Sequence, residues 1–427
     1  MNRFRSNREE CADVADISKF AIGLKNFFNL IGPRSGIFNL SSAKLLASAV
    51  SVLVLANISR NTRIDEFARF VVVLGLGAAT SLIHDGGRVL SVTRAVALSP
   101  SEVRPILRAV LYSRLRLAIL TNLGILAILI TTLRDSIPLV LPMSISVLST
   151  VVYTTVFGAF RAVGKTFEEA ITEVASRLGV LAGVTLASRI VGLSDVRAYW
   201  CYSLADLFAA AFALRLLVML PSRRAGNGVV TRDPAVNALS NLFASLVGGL
   251  VFRTTPLFLA ARGRSEDVAT FAIGSRILEL ALVPVGLHVG LSVGKFAMAE
   301  YRKVLLRQIY LCLVYGVLVL TALVLVTYLV PVLFGSAYQP YVGMIQLLMT
   351  TVIPHCCALI IFGVSFAQSS RLYLMFTLSF SIPVYLFVMV FTSKIGLNAF
   401  VLGSWAGLLV LGVHLLVATH HTKTGTP

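Results

Sequence analysis

Arg253, Arg276, Glu279 and Asp206 stand inside long apolar stretches of the chain, where a charge is expensive. A charge at the centre of a bilayer costs about 2.5–3.5 kcal/mol on insertion scales, so one that persists usually faces a cavity or a partner. Arg276 and Glu279 are three residues apart and lie on neighbouring faces of any helix. Arg253 has no carboxylate within four residues along its own helix. A short loop separates the two stretches, so the helices should be antiparallel neighbours. At 1.5 Å per residue both arginines sit roughly 9 to 12 Å below the same surface, within reach of one ligand. Guanidinium groups bind phosphates bidentately, so the pair predicts a substrate site for an anion, with Arg253 and Arg276 as its binding residues. Glu279 is expected to hold Arg276 or carry a coupling ion, and Asp206 is a second candidate for that ion. Arg189 and Arg215 lie near the ends of their stretches and can reach the interface along their own stems.

Other chemistries find no support. Ala162-Val-Gly-Lys-Thr166 resembles the end of a P-loop, but the required first glycine is replaced by Ala159. The six histidines and five cysteines have no metal-ligand spacing, and no Gly-x-Ser-x-Gly elbow occurs. No metal or cofactor is expected. The acidic pair Glu168-Glu169 reads as a helix N-terminus complementing its dipole. Loops this short leave little room outside the bilayer for a sugar polymerase or transferase, so an enzyme is not expected.

The elements that carry these charges are read from composition. Of 427 residues, 57% are hydrophobic and 13% charged, and mean hydropathy is +0.87. Soluble domains carry about 25% charged residues, so lipid is the solvent this composition suits. The net charge of +18 is read as basic loops flanking membrane spans, not as a nucleic-acid surface. The apolar runs predict twelve spans: 39–58, 68–90, 114–134, 137–158, 171–193, 199–221, 235–259, 268–293, 305–333, 342–366, 371–392 and 397–418. Lys and Arg gather in the tails and in the loops of one side, which predicts both termini in the cytoplasm. Their largest cluster, Arg88 to Arg116 between spans two and three, reads as a topology anchor. Residues 14–31 have amphipathic spacing and are expected to lie flat on the interface.

The chain also repeats itself. Ala68, Phe70 and Arg94 map onto Ala269, Phe271 and Lys295 at one constant offset of 201 residues. Asp65-Glu66 and Glu266-Asp267 open the corresponding spans. Six-span halves both enter the membrane in the same direction, which makes the repeat parallel, about an axis along the membrane normal. The expected organisation is an N-terminal segment 1–38, a first six-helix bundle 39–221, a linker 222–234, a second bundle 235–418 and a tail 419–427. The fold class is therefore an all-α integral membrane protein of about twelve transmembrane helices in two bundles.

Val330-Pro-Val-Leu-Phe-Gly-Ser-Ala-Tyr338, followed by 341–348, resembles the L-x-x-L-F-G-x-x-Y passage between spans nine and ten of one transporter family. Phe271-Ala-Ile-Gly-Ser-Arg276 and Lys295-Phe-Ala-Met-Ala299 resemble the opening and close of its eighth span. That family is the polysaccharide-export branch, the O-antigen and exopolysaccharide flippases, of the superfamily that includes the multidrug-and-toxin-extrusion transporters. The chain departs from it in two places: members often have an Asp near the position of Arg253, and Tyr-x-x-Ala where this chain has Phe271-Ala-Ile-Gly. The resemblance implies a flippase of the bacterial inner membrane that moves lipid-linked anionic oligosaccharides by alternating access. It also implies a coupling ion, proton or sodium, as a partner beside the membrane lipids. A drug antiporter of the same superfamily is the nearest alternative. Span one has no acidic residue for a cationic drug, which favours an anionic substrate.

Overall fold

The computed structural model describes residues 36–85, 102–132, 134–218, 253–298, 301–368 and 370–421, with a few isolated positions between 89 and 96. The interfacial helix expected over 14–31, the linker 222–234 and most of the seventh span lie outside the described residues. Within them the chain is helical: α1 (Gly36–Asn61), α2 (Ile64–Asp85), α3 (Val103–Thr132), α4 (Val140–Ala162), α5 (Thr166–Ile190) and α6 (Asp195–Val218). After the gap come α7 (253–260), α8 (Ser265–Met298) and α9 (Tyr301–Thr327). The tenth, α10, has two pieces, Val342–Met349 and Val352–Gln368, and is followed by α11 (Ser370–Ile395) and α12 (Asn398–His421). Eleven segments among the described residues are long and apolar enough to cross a membrane, which makes this a multi-pass membrane protein.

The repeat seen in the sequence reappears in the packing. The starts of α2 and α8, at residues 64 and 265, keep the 201-residue offset. Each places two acidic residues in its first turn, Asp65-Glu66 and Glu266-Asp267, where the helix dipole favours them. In the first half α4 packs on α2 and α3, and α5 on α6. The equivalent pairs of the second half, α10 on α8 and α9, and α11 on α12, pack in the same way. Ala68, Phe70, Ala269 and Phe271 are all buried. The molecule is thus two helical bundles related by a parallel repeat.

Several boundaries move for local reasons. The third span starts at Val103, eleven residues before the expected 114, and α3 runs for 30 residues. The ninth ends at Thr327 and is followed by a one-turn helix, Val330–Phe334. The tenth is broken at Thr350-Thr351, because Pro354 lacks the N–H that would bond the carbonyl four residues earlier. Both threonine hydroxyls donate instead to carbonyls three residues back, at 2.7 Å. Gly164 of the P-loop-like stretch has φ +74° and follows the end of α4. Its N–H donates to Arg161 O, and that of Lys165 to Phe160 O, a Schellman turn and not a phosphate loop.

Two charge readings are corrected. Arg114 is not part of a solvated anchor: it is fully buried, 3.5 Å from Asp85, and donates to the Thr155 and Thr154 hydroxyls at 2.7 and 3.2 Å. Glu169 does more than complement a dipole. It is buried and accepts two hydrogen bonds from Arg161 across the α4–α5 turn, at 2.8 and 2.5 Å. Arg189 and Arg215 are exposed near their helix ends, as expected for side chains that reach the interface.

The halves are joined where the turn that follows α1 meets the connection between α9 and α10. The Ser59 hydroxyl donates to the Phe334 carbonyl at 3.1 Å, and the Phe67 and Tyr338 rings meet edge to face at 6.3 Å. Gly75 of α2 lies against the backbone of α7, where an added Cβ would stand 2.7 Å from the Arg253 carbonyl oxygen. One apolar core runs through both halves across this contact.

Two stability measurements test this packing. Gly75→Leu should destabilise the purified protein by about 1–3 kcal/mol through overpacking at the seam. Gly124→Leu, at a position with open space around it, should leave the thermal midpoint unchanged. Equal midpoints for the two variants would contradict the close approach. Arg161→Met should cost about 3 kcal/mol by stranding the buried Glu169, and adding Glu169→Leu should recover most of that loss. A double variant less stable than the single one would show that the pair is not coupled as described.

Candidate functional site

The central feature is a cavity of about 270 Å³. Helices α1, α2, α4, α5 and α6 supply most of its wall, with Ser51, Ser81, Thr150 and Tyr153 among the polar lining. Arg253 of α7 and Arg276 of α8 close it from the second half. The structure therefore brings three of the four expected site residues, Arg253, Arg276 and Asp206, to one cavity. Glu279 lines a small adjoining recess together with the same two arginines.

Glu279 lies between the two guanidinium groups. Arg276 donates from Nη1 to Glu279 Oε2 at 2.6 Å, the i,i+3 pair expected from the sequence. Arg253 Nη1 stands 3.9 Å from the other carboxylate oxygen, Oε1. The partner that Arg253 lacks on its own helix is thus supplied by α8. The antiparallel α7–α8 hairpin makes this possible, through a Schellman turn in which Gly263 takes φ +68°. One carboxylate shared by two cations leaves the trio with a positive charge. The side chains of Arg253 and Arg276 keep 33% and 25% of their surface exposed, so the charge is accessible to a ligand.

Asp206 lies in the opposite wall and is buried. The Ser146 hydroxyl donates to Oδ2 at 2.5 Å and the Ser176 hydroxyl to Oδ1 at 3.3 Å. These bonds hold the carboxylate facing the cavity. Beside it in the wall is Arg177 of α5, which pairs with no carboxylate within 4.0 Å among the described residues. Arg177 was not expected from the sequence, where Glu173 four residues earlier makes it look like half of an ordinary helix ion pair. A signal was present: Arg177 precedes the end of α5 at Ile190 by 13 residues, and Asp206 follows the start of α6 at Asp195 by 11, so the two lie at similar depth. Arg177 and Tyr153 also line a second cavity, of about 180 Å³, that extends toward Glu173, Glu169 and Arg161.

The cavity and its recess are lined by three basic side chains, Arg177, Arg253 and Arg276, and two acidic ones, Asp206 and Glu279. The arrangement can bind an anion between guanidinium groups of both halves, and it sets one buried carboxylate, Asp206, in the wall.

By sequence, no protein-family model and no curated protein matches the chain. Solved structures do match it in fold. An inward-facing multidrug resistance MATE family transporter of the MOP superfamily superposes with a TM-score of 0.65 at 16% identity, covering 93% of this chain and 98% of that one. An outward-facing structure of such a transporter gives 0.63 at 16% identity, with 92% and 97% covered. A MATE structure in a bent conformation gives 0.62 at 15% identity, with 92% and 96% covered. The chain has the MATE transporter fold. Structures of that fold have twelve transmembrane helices in two bundles. In MATE-fold terms, the cavity lies in the first bundle and is completed by Arg253 and Arg276 of the second.

Proposed function

We propose that this chain is a membrane transporter that moves an anionic lipid-linked oligosaccharide from the inner to the outer leaflet of a bacterial cytoplasmic membrane. Its substrate is an undecaprenyl-diphosphate-linked sugar chain destined for polysaccharide biosynthesis. The observation that carries this reading is the set of three arginines, from both halves, facing one cavity. The diphosphate is held by Arg253 and Arg276, and Arg177 approaches it from the first half. Because the ligand bridges the bundles 39–221 and 235–418, their relative movement carries it between leaflets, which is alternating access. Asp206 takes the coupling ion, a proton or sodium. Both termini lie in the cytoplasm, on the side with more basic residues.

A second reading, an ion-coupled drug antiporter, is favoured by the buried carboxylate of Asp206 in the cavity and by the multidrug transporters that share the fold. The two differ in the charge of the substrate. Reconstitution with a fluorescent undecaprenyl-diphosphate-linked oligosaccharide separates them. Wild-type protein should move it between leaflets without changing its length, and longer products would identify a polymerase instead.

Arg253→Gln and Arg276→Gln should each reduce that transport about tenfold or more, since hydrogen bonds to charged groups contribute about 1.5–3 kcal/mol. Lys at either position should rescue only in part, because it lacks the bidentate fork. If exchanging Arg276 and Glu279 preserves full transport and Arg253→Gln is silent, the charges serve structure only and the anion site is refuted.

A further inference from the structure

A recess of about 550 Å³ lies outside the central cavity, between α3, α4 and the end of α6. Its walls are apolar: Leu107, Leu111 and Leu115 on α3 face Leu214, Leu217 and Val218 on α6. At its rim stand Arg104, Arg108 and Tyr112, spaced four residues apart and so stacked along one helix face. Arg116 continues the stripe, and all four are exposed. The Arg116 guanidinium lies 4.1 Å from the centre of the Tyr112 ring and donates to its hydroxyl. Among the described residues, no carboxylate lies within 4.0 Å of Arg104, Arg108 or Arg116. Arg114, on the opposite face, is the one turned inward to Asp85.

The length of α3 sets the depth of this recess in the bilayer. Thirty residues at 1.5 Å span about 45 Å, against about 30 Å of hydrocarbon. With Thr132 at one boundary, the other falls about twenty residues back, near Tyr112. A tyrosine at that level belongs to the interfacial aromatic belt. Arg104 and Arg108 then stand among the head groups, and the leucines below them face the acyl chains.

From this match of charge and depth we infer that the recess binds an anionic glycerophospholipid. Its phosphate is held by Arg104 and Arg108, and one acyl chain lies between α3 and α6. The site is separate from the transport cavity, and the inference holds whatever that cavity carries.

Purified full-length protein should retain phosphatidylglycerol in native mass spectrometry after delipidation, and phosphatidylcholine about tenfold less, as expected for several basic residues near an anionic head group. Arg104→Gln combined with Arg108→Gln and Arg116→Gln should remove that preference. Phosphatidylglycerol carrying a photoreactive acyl chain should cross-link wild-type protein within 104–118 and 214–218, which decides the matter even if the triple variant fails to insert. Equal retention of the two lipids, an unchanged preference in the triple variant, or cross-links only elsewhere would overturn the proposal. So would displacement of the cross-link by undecaprenyl diphosphate at concentrations where added phosphatidylglycerol has no effect, because the recess would then belong to an isoprenoid carrier.

Discussion

Glu279 sits between Arg253 and Arg276, at 3.9 and 2.6 Å, and this arrangement makes it possible to keep charge at the seam of a protein that lives in lipid. An isolated charge there would be expelled or would unfold its surroundings. Two cations on one carboxylate lower that cost without cancelling the charge. The remaining positive charge faces the cavity, where the proposed substrate's phosphate would complete the balance. The site is therefore stable when empty and attractive to an anion, with the carboxylate serving both conditions.

The fold supplies the geometry this trio needs. Gly75 lets α2 approach the α7 backbone at Arg253 itself, so the same contact that joins the halves fixes the root of one arginine of the cavity. The α7–α8 turn then sets Arg276 and Glu279 opposite it. Asp206 and Arg177 are held by the hairpin of α5 and α6, within the first bundle. A movement of one bundle against the other must alter the distance between Arg177 and the Arg253–Arg276 pair. In the proposed function this geometry couples substrate binding to conformational change.

Much of this was legible in the sequence because the bilayer is a strict reader of composition. Apolar runs gave the spans, and the offset of 201 residues between Ala68 and Ala269 gave the repeat. Arg253, Arg276 and Asp206 stood out because charges in such runs are costly. What escaped was charge that looked ordinary in one dimension. Arg177 was masked by Glu173 on its own helix, and Arg114 by its basic neighbours Arg108 and Arg116. The pairing of Glu169 with Arg161 depends on a turn whose glycine, Gly164, resembled part of a nucleotide-binding motif. The break in α10 was foreshadowed by Pro354, but apolar residues on both sides hid it. Helix faces and cross-helix partners need the packing, and periodicity alone does not supply them.

The central claim is that the cavity of the first bundle, closed by Arg253 and Arg276 of the second, selects for negative charge. It is tested most directly by equilibrium binding to the purified protein, with undecaprenyl diphosphate and a lipophilic organic cation of similar bulk competing for one site. The account predicts that the diphosphate binds and the cation does not displace it, and that neutralising Arg253 and Arg276 together abolishes the binding. Tight binding of the cation, with the diphosphate excluded, would contradict it.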